Sequence, residues 1–370
     1  MKTKAAVIYE PGQRLQIEEL DLDGPREGEV LIRYTHAGVC HSDIHVVHGH
    51  LKARLPMVLG HEGAGIIEEV GPGVTRVQAG DHVVLSFLPN CGVCRYCATG
   101  RQSICDMGIT IPEGCLPGGR FPITGPRGVY GAACMLGTFS QYGVVHQASV
   151  VKVDDDLPLD KAVLVGCGVP TGWGSAVNAA NVRPGDTVAV YGIGGVGINA
   201  VQGARHAGAK HVVAIDPLQN KREKAMELGA THAFATAAEA LDTITELTQG
   251  QGADSAILTV ALMTPEVVEA GFNAVGKGGI VVVIGNSNLM EKSIVLPGAI
   301  LTQFRKIVKG SLFGDCNPTT DIPKLLGLYK SGDLKLDELI TRTYRLAEVN
   351  DSFDDLLAGR NIRGVVVHEH

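Results

Sequence analysis

A chain of 370 residues with 45% hydrophobic side chains and a net charge of −7 has room for two domains and a sizeable core. Its charges are scattered, with no basic run to mark a nucleic-acid face and no acidic tail. The start, Met1-Lys2-Thr3-Lys4-Ala5-Ala6-Val7-Ile8-Tyr9, is too short and polar for a secretory signal, and no stretch approaches the roughly 18 apolar residues of a membrane span, so a cytoplasmic protein is expected. The 48 glycines follow no collagen-like period and sit among apolar strands, which points to tight turns and a phosphate loop. Four of the nine cysteines crowd into fifteen residues, a pattern for metal rather than for disulfides.

In chain order, Val30-Leu31-Ile32-Arg33-Tyr34, Gly65-Ile66-Ile67-Glu68-Glu69-Val70 and His82-Val83-Val84-Leu85 alternate apolar and polar residues between turn signals and predict strands of a β-rich domain. Residues 106–137, rich in Gly and Pro, predict an extended surface loop. Near Pro170 the pattern changes. Thr187-Val188-Ala189-Val190-Tyr191 predicts a buried strand, followed by a Gly-rich turn and helical spacing through Val201 and Ala204 to His206. Further strands are predicted at His211-Val212-Val213-Ala214-Ile215, 255–260 and 279–284, with helices between, which implies a parallel sheet. Residues 323–329 predict a helix and Gly364-Val365-Val366-Val367 a closing strand. The fold class is therefore α/β: a parallel-sheet domain at 170–312 inserted into a β-rich domain made of 1–169 and 313–370, with a lobe at 91–105.

Several segments carry chemistry. Gly38-Val39-Cys40-His41-Ser42-Asp43-Ile44-His45, Gly60-His61-Glu62-Gly63 and Cys167 hold reactive groups, but spacing alone does not join them, and a single Cys or His is more often structural. Cys91, Cys94, Cys97 and Cys105 form a compact set suited to tetrahedral zinc, with an iron–sulfur cluster as the rival; four thiolates leave no open coordination position, so this metal should stabilise rather than catalyse. Gly192-Ile193-Gly194-Gly195-Val196-Gly197 follows an apolar strand and opens a helix, the context in which this pattern binds a dinucleotide pyrophosphate. Asp216 ends the next strand, where a carboxylate binds the adenosine ribose and repels a 2′-phosphate; this favours NAD, a preference that Lys221 and Arg222 weaken slightly. A strand-end turn residue before Pro217 is the plainer reading of Asp216.

Gly60-His61-Glu62, the Cys91–Cys105 cluster, the Gly motif and Cys167 occur in the order seen in zinc-containing medium-chain alcohol dehydrogenases, which the chain resembles over essentially its whole length. The resemblance implies a GroES-like catalytic domain with a doubly wound Rossmann domain, two zincs per chain, and NAD. It makes Cys40, His61 and Cys167 the catalytic zinc ligands, Glu62 the carboxylate that approaches the metal during ligand exchange, and Asp43 the partner that orients His61. Two thiolates and an imidazole leave an open position where an alcohol would lose its proton more readily. By the same resemblance Ser42 takes that proton, a relay runs through the cofactor ribose to His45, His41 and Arg363 meet the cofactor phosphates, and Phe87 lines the substrate pocket; Lys221, close after Asp216, counts among the cofactor contacts by its position. Core Phe87, solvated His41 and surface Arg363 are the plainer alternatives. His36, His48 and His50 receive no role, and Cys115, Cys134 and Cys316 fit neither zinc set.

Leu136-Gly137-Thr138-Phe139-Ser140, Gly166-Cys167-Gly168-Val169-Pro170-Thr171-Gly172 and Gly314-Asp315-Cys316-Asn317-Pro318 look like a narrower group, the nicotinoprotein alcohol dehydrogenases. That group keeps NAD(H) bound through turnover, is assayed with N,N-dimethyl-4-nitrosoaniline (NDMA) as acceptor, and is associated with the redox cofactor mycofactocin. The resemblance thus implies a small alcohol or aldehyde substrate, an external acceptor and a homo-oligomer, for which the apolar stretch 294–301 is a candidate sheet extension or, alternatively, a core strand. An NAD-exchanging dehydrogenase, including the glutathione-dependent formaldehyde type, is the alternative enzyme. A non-catalytic dinucleotide-binding protein on the same fold is expected to lack the zinc ligands that this chain retains.

Overall fold

The computed structural model describes residues 1–285 and 294–370. They form two compact units, one of Met1–Cys167, Asn317–Gly332 and Leu336–His370, the other of Gly168–Cys316 and Asp333–Lys335. Residues 313–316 fall with the second unit because Cys316 packs its thiol 3.5 Å from the Pro170 carbonyl.

The first unit carries strands β1 (Lys2–Ile8), β2 (Gln16–Leu22), β3 (Glu29–Gly38), β4 (Met57–Val58), β5 (Glu62–Val70), β6 (His82–Leu85), β7 (Ile123–Gly125), β8 (Gly128–Ala132), β9 (Tyr142–His146) and β10 (Val150–Lys152). Strands β1, β2, β7, β8 and β4 close a small barrel around Ala5, Val7, Leu20, Leu22, Val58, Ile123 and Tyr130. The expected surface loop at 106–137 is thus a structured segment. It opens with a 3-10 stretch, Asp106–Glu113, and continues into the hairpin β7–β8, whose Gly125 and Gly128 flank the turn and whose Ile123 and Tyr130 fill the barrel. Gly and Pro punctuate the turns here, and the hairpin's two short runs leave too little periodicity to read.

The other sheet runs β10-β6-β5-β3, with β9 also on β3. It is completed from the far end of the sequence, as shown below. The second unit is a parallel sheet of β11 (Thr187–Tyr191), β12 (His211–Ile215), β13 (His232–Phe234), β14 (Ala253–Leu258), β15 (Val275–Val283) and β16 (Ile307–Gly310), ordered β13-β12-β11-β14-β15-β16. This is the doubly wound order, with its switch point between β11 and β14, and the continuous burial of β11 reflects a sheet covered on both faces. The chain then returns to the first unit with β17 (Ile340–Arg345) and β18 (Arg363–Val367), and β18 pairs with β3.

The stretch 294–301 is neither a core strand nor part of any sheet within the chain. Residues 294–297 carry no ladder, residues Gly298–Gln303 are helical, and Ile294 and Val295 are exposed. No helix among the described residues is long and apolar enough to cross a membrane.

Candidate active site and metal centres

The register of the first unit's sheet gathers distant residues at one end. Gly38 of β3 pairs with Glu62 of β5, Gly63 of β5 with Leu85 of β6, and Val365 of β18 with Gly38. Cys40, Phe87 and Arg363 each lie two positions beyond these paired residues, and His61 immediately precedes β5. Cys167 joins them because Gly166 has no side chain: a Cβ there would lie 2.6 Å from the Leu85 carbonyl oxygen. The ligand atoms of Cys40, His61, Glu62 and Cys167, all buried, lie within 4.8 Å of one another. Sheet register therefore joins two of the segments that spacing could not connect, and the close approach of Gly166 to Leu85 adds the third.

The donor set fits a metal ion. The His61 ring donates through Nδ1 to Asp43 Oδ1 at 3.1 Å, while its Nε2 is buried and makes no hydrogen bond. A buried ring nitrogen without a partner is costly unless its lone pair meets a cation. Asp43 Oδ1 also accepts from the Gly60 amide at 3.0 Å, so the carboxylate fixes both the backbone before His61 and the ring itself. Hydrogen bonding from Cys167 holds the Cys40 thiol well below its ordinary range despite burial, and the same bond pushes Cys167 well above. Burial works to lower the His61 pKa, but the Asp43 and Cys40 charges raise it well above the usual value. Such a cluster holds protons that a metal would displace.

Glu62 is fully buried and ion-paired to Arg363, itself 3% exposed. Burial pushes Glu62 up to about 7 against the pull of the guanidinium. Gly38 makes room for this arrangement, since a Cβ there would lie 2.1 Å from Glu62 Oε2. The plainer expectation for Arg363, a surface arginine, is overturned; the partner it has in the first unit is Glu62. Phe87 meets the His61 ring edge-on at 5.8 Å and borders the site, half-buried. Ser42 Oγ lies 3.7 Å from Cys40 Sγ, in the first turn of the helix His41–Val47, which also carries His41, Asp43 and His45. His41 is half-buried, and His45 is buried with its Nδ1 against His50.

Cys91, Cys94, Cys97 and Cys105 gather with all four sulfurs within 4.8 Å of one another, and no disulfide forms. The Cys91–Cys97 and Cys94–Cys105 sulfurs are 3.9 Å apart. That matches the edge, about 3.8 Å, of a tetrahedron with ~2.3 Å metal–sulfur bonds, whereas a multi-iron core would hold them farther apart. The Cys94 amide donates to Cys91 Sγ and the Cys97 amide to Cys94 Sγ, at 3.3 and 3.4 Å. The bond from Cys97, with one from Asp106, lowers Cys94 to about 6, while burial raises Cys105 to about 12.

In the second unit the Gly motif turns from β11 into the helix Gly197–His206. A side chain at Gly197 would strike the Gly192 carbonyl at 1.9 Å, so this residue serves close packing, whereas a Cβ at Gly194 would meet nothing and leaves backbone open to a phosphate. Gly195 and Val196 continue the turn. Asp216 accepts from the Ile193 amide at 2.7 Å and the Leu218 amide at 2.9 Å, so it braces the turn while keeping lone pairs for a ribose. Lys221 is buried near Asp216, and burial lowers its pKa against the carboxylate's pull. One terminal nitrogen of the Arg222 guanidinium, expected with Lys221 to weaken the NAD preference slightly, donates to the Asp216 and Pro217 carbonyls, both at 2.8 Å.

Sequence reasoning missed Thr138 and His368. The Thr138 amide donates to the Gly60 carbonyl, and His368 Nε2 donates to the Thr138 carbonyl at 2.9 Å, buttressing the loop that carries His61. Their signal in the sequence is slight: Thr138 stands in a segment marked only by its likeness to the nicotinoprotein group, and His368 directly follows the closing strand. Cys115, Cys134 and Cys316 join neither metal cluster.

Two family models match the chain. Residues 26–155 match the alcohol dehydrogenase GroES-like domain, and residues 195–331 match the zinc-binding dehydrogenase domain. The chain is 60% identical over 368 residues to an NDMA-dependent alcohol dehydrogenase of Amycolatopsis methanolica, covering 100% of this chain and 99% of the other. It is 58% identical to a putative alcohol dehydrogenase D of Mycobacterium tuberculosis, covering 100% of each. Among solved structures, benzyl alcohol dehydrogenase from Acinetobacter calcoaceticus superposes with a TM-score of 0.93 at 30% identity, covering 100% of each chain.

Proposed function

Because the chain belongs to the zinc-containing alcohol dehydrogenase family, we propose that it oxidises an alcohol reversibly to its aldehyde by hydride transfer to NAD. The observation that carries this reading is the convergence of Cys40, His61 and Cys167 around a His61 Nε2 that makes no hydrogen bond.

Cys40, His61 and Cys167 would hold the catalytic zinc, and the four-cysteine lobe a structural one. Zinc, when bound, supplies a Lewis acid that makes an alcohol easier to deprotonate, and NAD supplies the hydride acceptor. The rest is the work of the chain. Asp43 keeps the His61 proton on Nδ1 and presents Nε2 to the metal. Ser42 accepts the alcohol proton and passes its own toward His45. Phe87 walls the site beside His61 and excludes water. Arg363 neutralises Glu62, so a carboxylate stands near the metal without leaving an uncompensated buried charge. The Gly motif and the helix Gly197–His206 take the pyrophosphate, with His41 as a further phosphate contact, while Asp216 and Lys221 take the adenosine ribose.

The likeness to an NDMA-dependent enzyme supports resident NAD(H), reoxidised in place by an external acceptor of the mycofactocin kind. A homo-oligomer is also part of this reading. Among the described residues strand β16 is a sheet edge, and Ile307 within it and Phe304 just before it are apolar and exposed, a face that a second copy would cover.

One preparation tests these points together. Purified protein should carry two zincs per chain and release stoichiometric NAD(H) on denaturation. It should also turn over alcohol with NDMA and no added NAD. Empty protein active only with added NAD would overturn the resident cofactor, and zinc-loaded protein without alcohol oxidation would overturn the function. Native mass reads the oligomer, and Ile307→Lys should yield monomer.

A further inference from the structure

The sequence gives His50 no role, yet the fold seats it directly against His45. The helix His41–Val47 ends at His48, and the chain reverses so that the amides of His50 and Leu51 both donate to the His45 carbonyl, at 2.9 and 3.2 Å. This reversal brings the His50 ring over the His45 ring, with centroids 5.4 Å apart, and sets Nδ1 of one 3.1 Å from Nδ1 of the other. At that distance one nitrogen must donate and the other accept, so a proton lies between them. Burial falls along the pair: His45 is 7% exposed, His50 is half-buried, and His48, 5.7 Å from His50 ring to ring, is exposed.

We propose that His50 is the outlet of the proton path, taking the alcohol-derived proton from His45 and delivering it to solvent. The inference rests on the role given to His45 above. His45 receives a proton at Nε2 and, as the imidazolium, gives its Nδ1 proton to His50 Nδ1. His50 then loses its Nε2 proton to water. One proton enters, one leaves, and no electrons move. Both rings end in the opposite tautomer. When the retained NADH is reoxidised, the acceptor's reduction consumes a proton, and its passage inward through the same two rings restores the starting tautomers. The pair is thus matched to a cycle that exports one proton and then imports one.

The test is a single turnover of the holoenzyme, with its own bound cofactor, mixed rapidly with alcohol in weak buffer containing a pH indicator. NADH absorbance and proton release are recorded separately. In the wild type the two should rise together. In His50→Gln, and in His50→Asn as a second variant, proton release should slow at least about tenfold and recover in proportion to added imidazole, because a diffusing base replaces the missing ring. A merely structural His50 would change the melting temperature without producing imidazole rescue. Proton release at the wild-type rate in both variants, or slowing that imidazole leaves untouched, overturns the proposal. His45→Gln separates the two levels. If it alone is slow, the outlet is wrong and the parent reading stands; if it releases protons at the wild-type rate, the parent reading falls.

Discussion

The Thr138 hydroxyl donates to the Glu62 carbonyl at 2.9 Å. Together with the bond from the Thr138 amide to the Gly60 carbonyl, it clasps the backbone on both sides of His61. Replacing Thr138 with Val keeps the methyl that lies against Gly63 but leaves the Glu62 carbonyl without this donor. The expected loss of stability is about 1–2 kcal/mol. One zinc of the two should leave to a chromogenic chelator faster than in the wild type, and Thr138→Ser should restore its retention.

His368 makes the unfolding free energy pH-dependent. Burial lowers its pKa to about 3, and its Nδ1 has no acceptor in reach. The unfolded chain takes up this proton near the ordinary value of about 6.5 and the native chain does not. The contribution is therefore complete above about pH 6.5 and shrinks as pH falls toward 3, at up to roughly 1.4 kcal/mol per pH unit. Urea unfolding of the wild type and of His368→Gln, which keeps a donor for Thr138 but does not titrate, should diverge over that interval. Parallel curves would show that His368 protonates freely in the folded state.

The two metal sites should be separable. Cys105→Ser removes a thiolate from the lobe, so the zinc content should fall from two to one per chain and the melting temperature should drop, while NAD(H) stays bound. Cys167→Ser should also leave one zinc per chain, but with alcohol oxidation abolished and the melting temperature less affected. Metal analysis beside thermal melts checks both.

Arg363 and Glu62 form a buried pair in which each compensates the other. Arg363→Leu strands Glu62 and should cost about 3–5 kcal/mol, reduced to the extent that the carboxyl protonates. The double change Glu62→Leu with Arg363→Leu should recover most of that stability, as a denaturant-based double-mutant cycle would show. Equal losses in the single and double variants would mean that the pair does not act as a unit.

What could be read from the sequence follows the range of each interaction. The four-cysteine lobe and the Gly motif are local, so their spacing carries their geometry. The parallel sheet was legible from apolar runs such as Thr187–Tyr191. The barrel was not, because it closes through pairings such as Val7 with Val58 and Asp21 with Thr124, between short strands that alternate poorly. Arg363 has a partner 301 residues away, and Thr138 acts through backbone groups that no pattern marks. Nothing in the sequence marks His50, because its value lies in a chain reversal rather than in its neighbours in sequence.

The sheet register that gathers Cys40 and His61, and the approach of Gly166 that adds Cys167, also order the two metal sites along the chain. The four thiolates of the lobe lie within the fifteen residues from Cys91 to Cys105, so they leave the ribosome together, with only a short loop to close. The other site cannot exist until Cys167 has emerged, and its Glu62 keeps an uncompensated charge until β18, five residues near the chain's end, docks on β3.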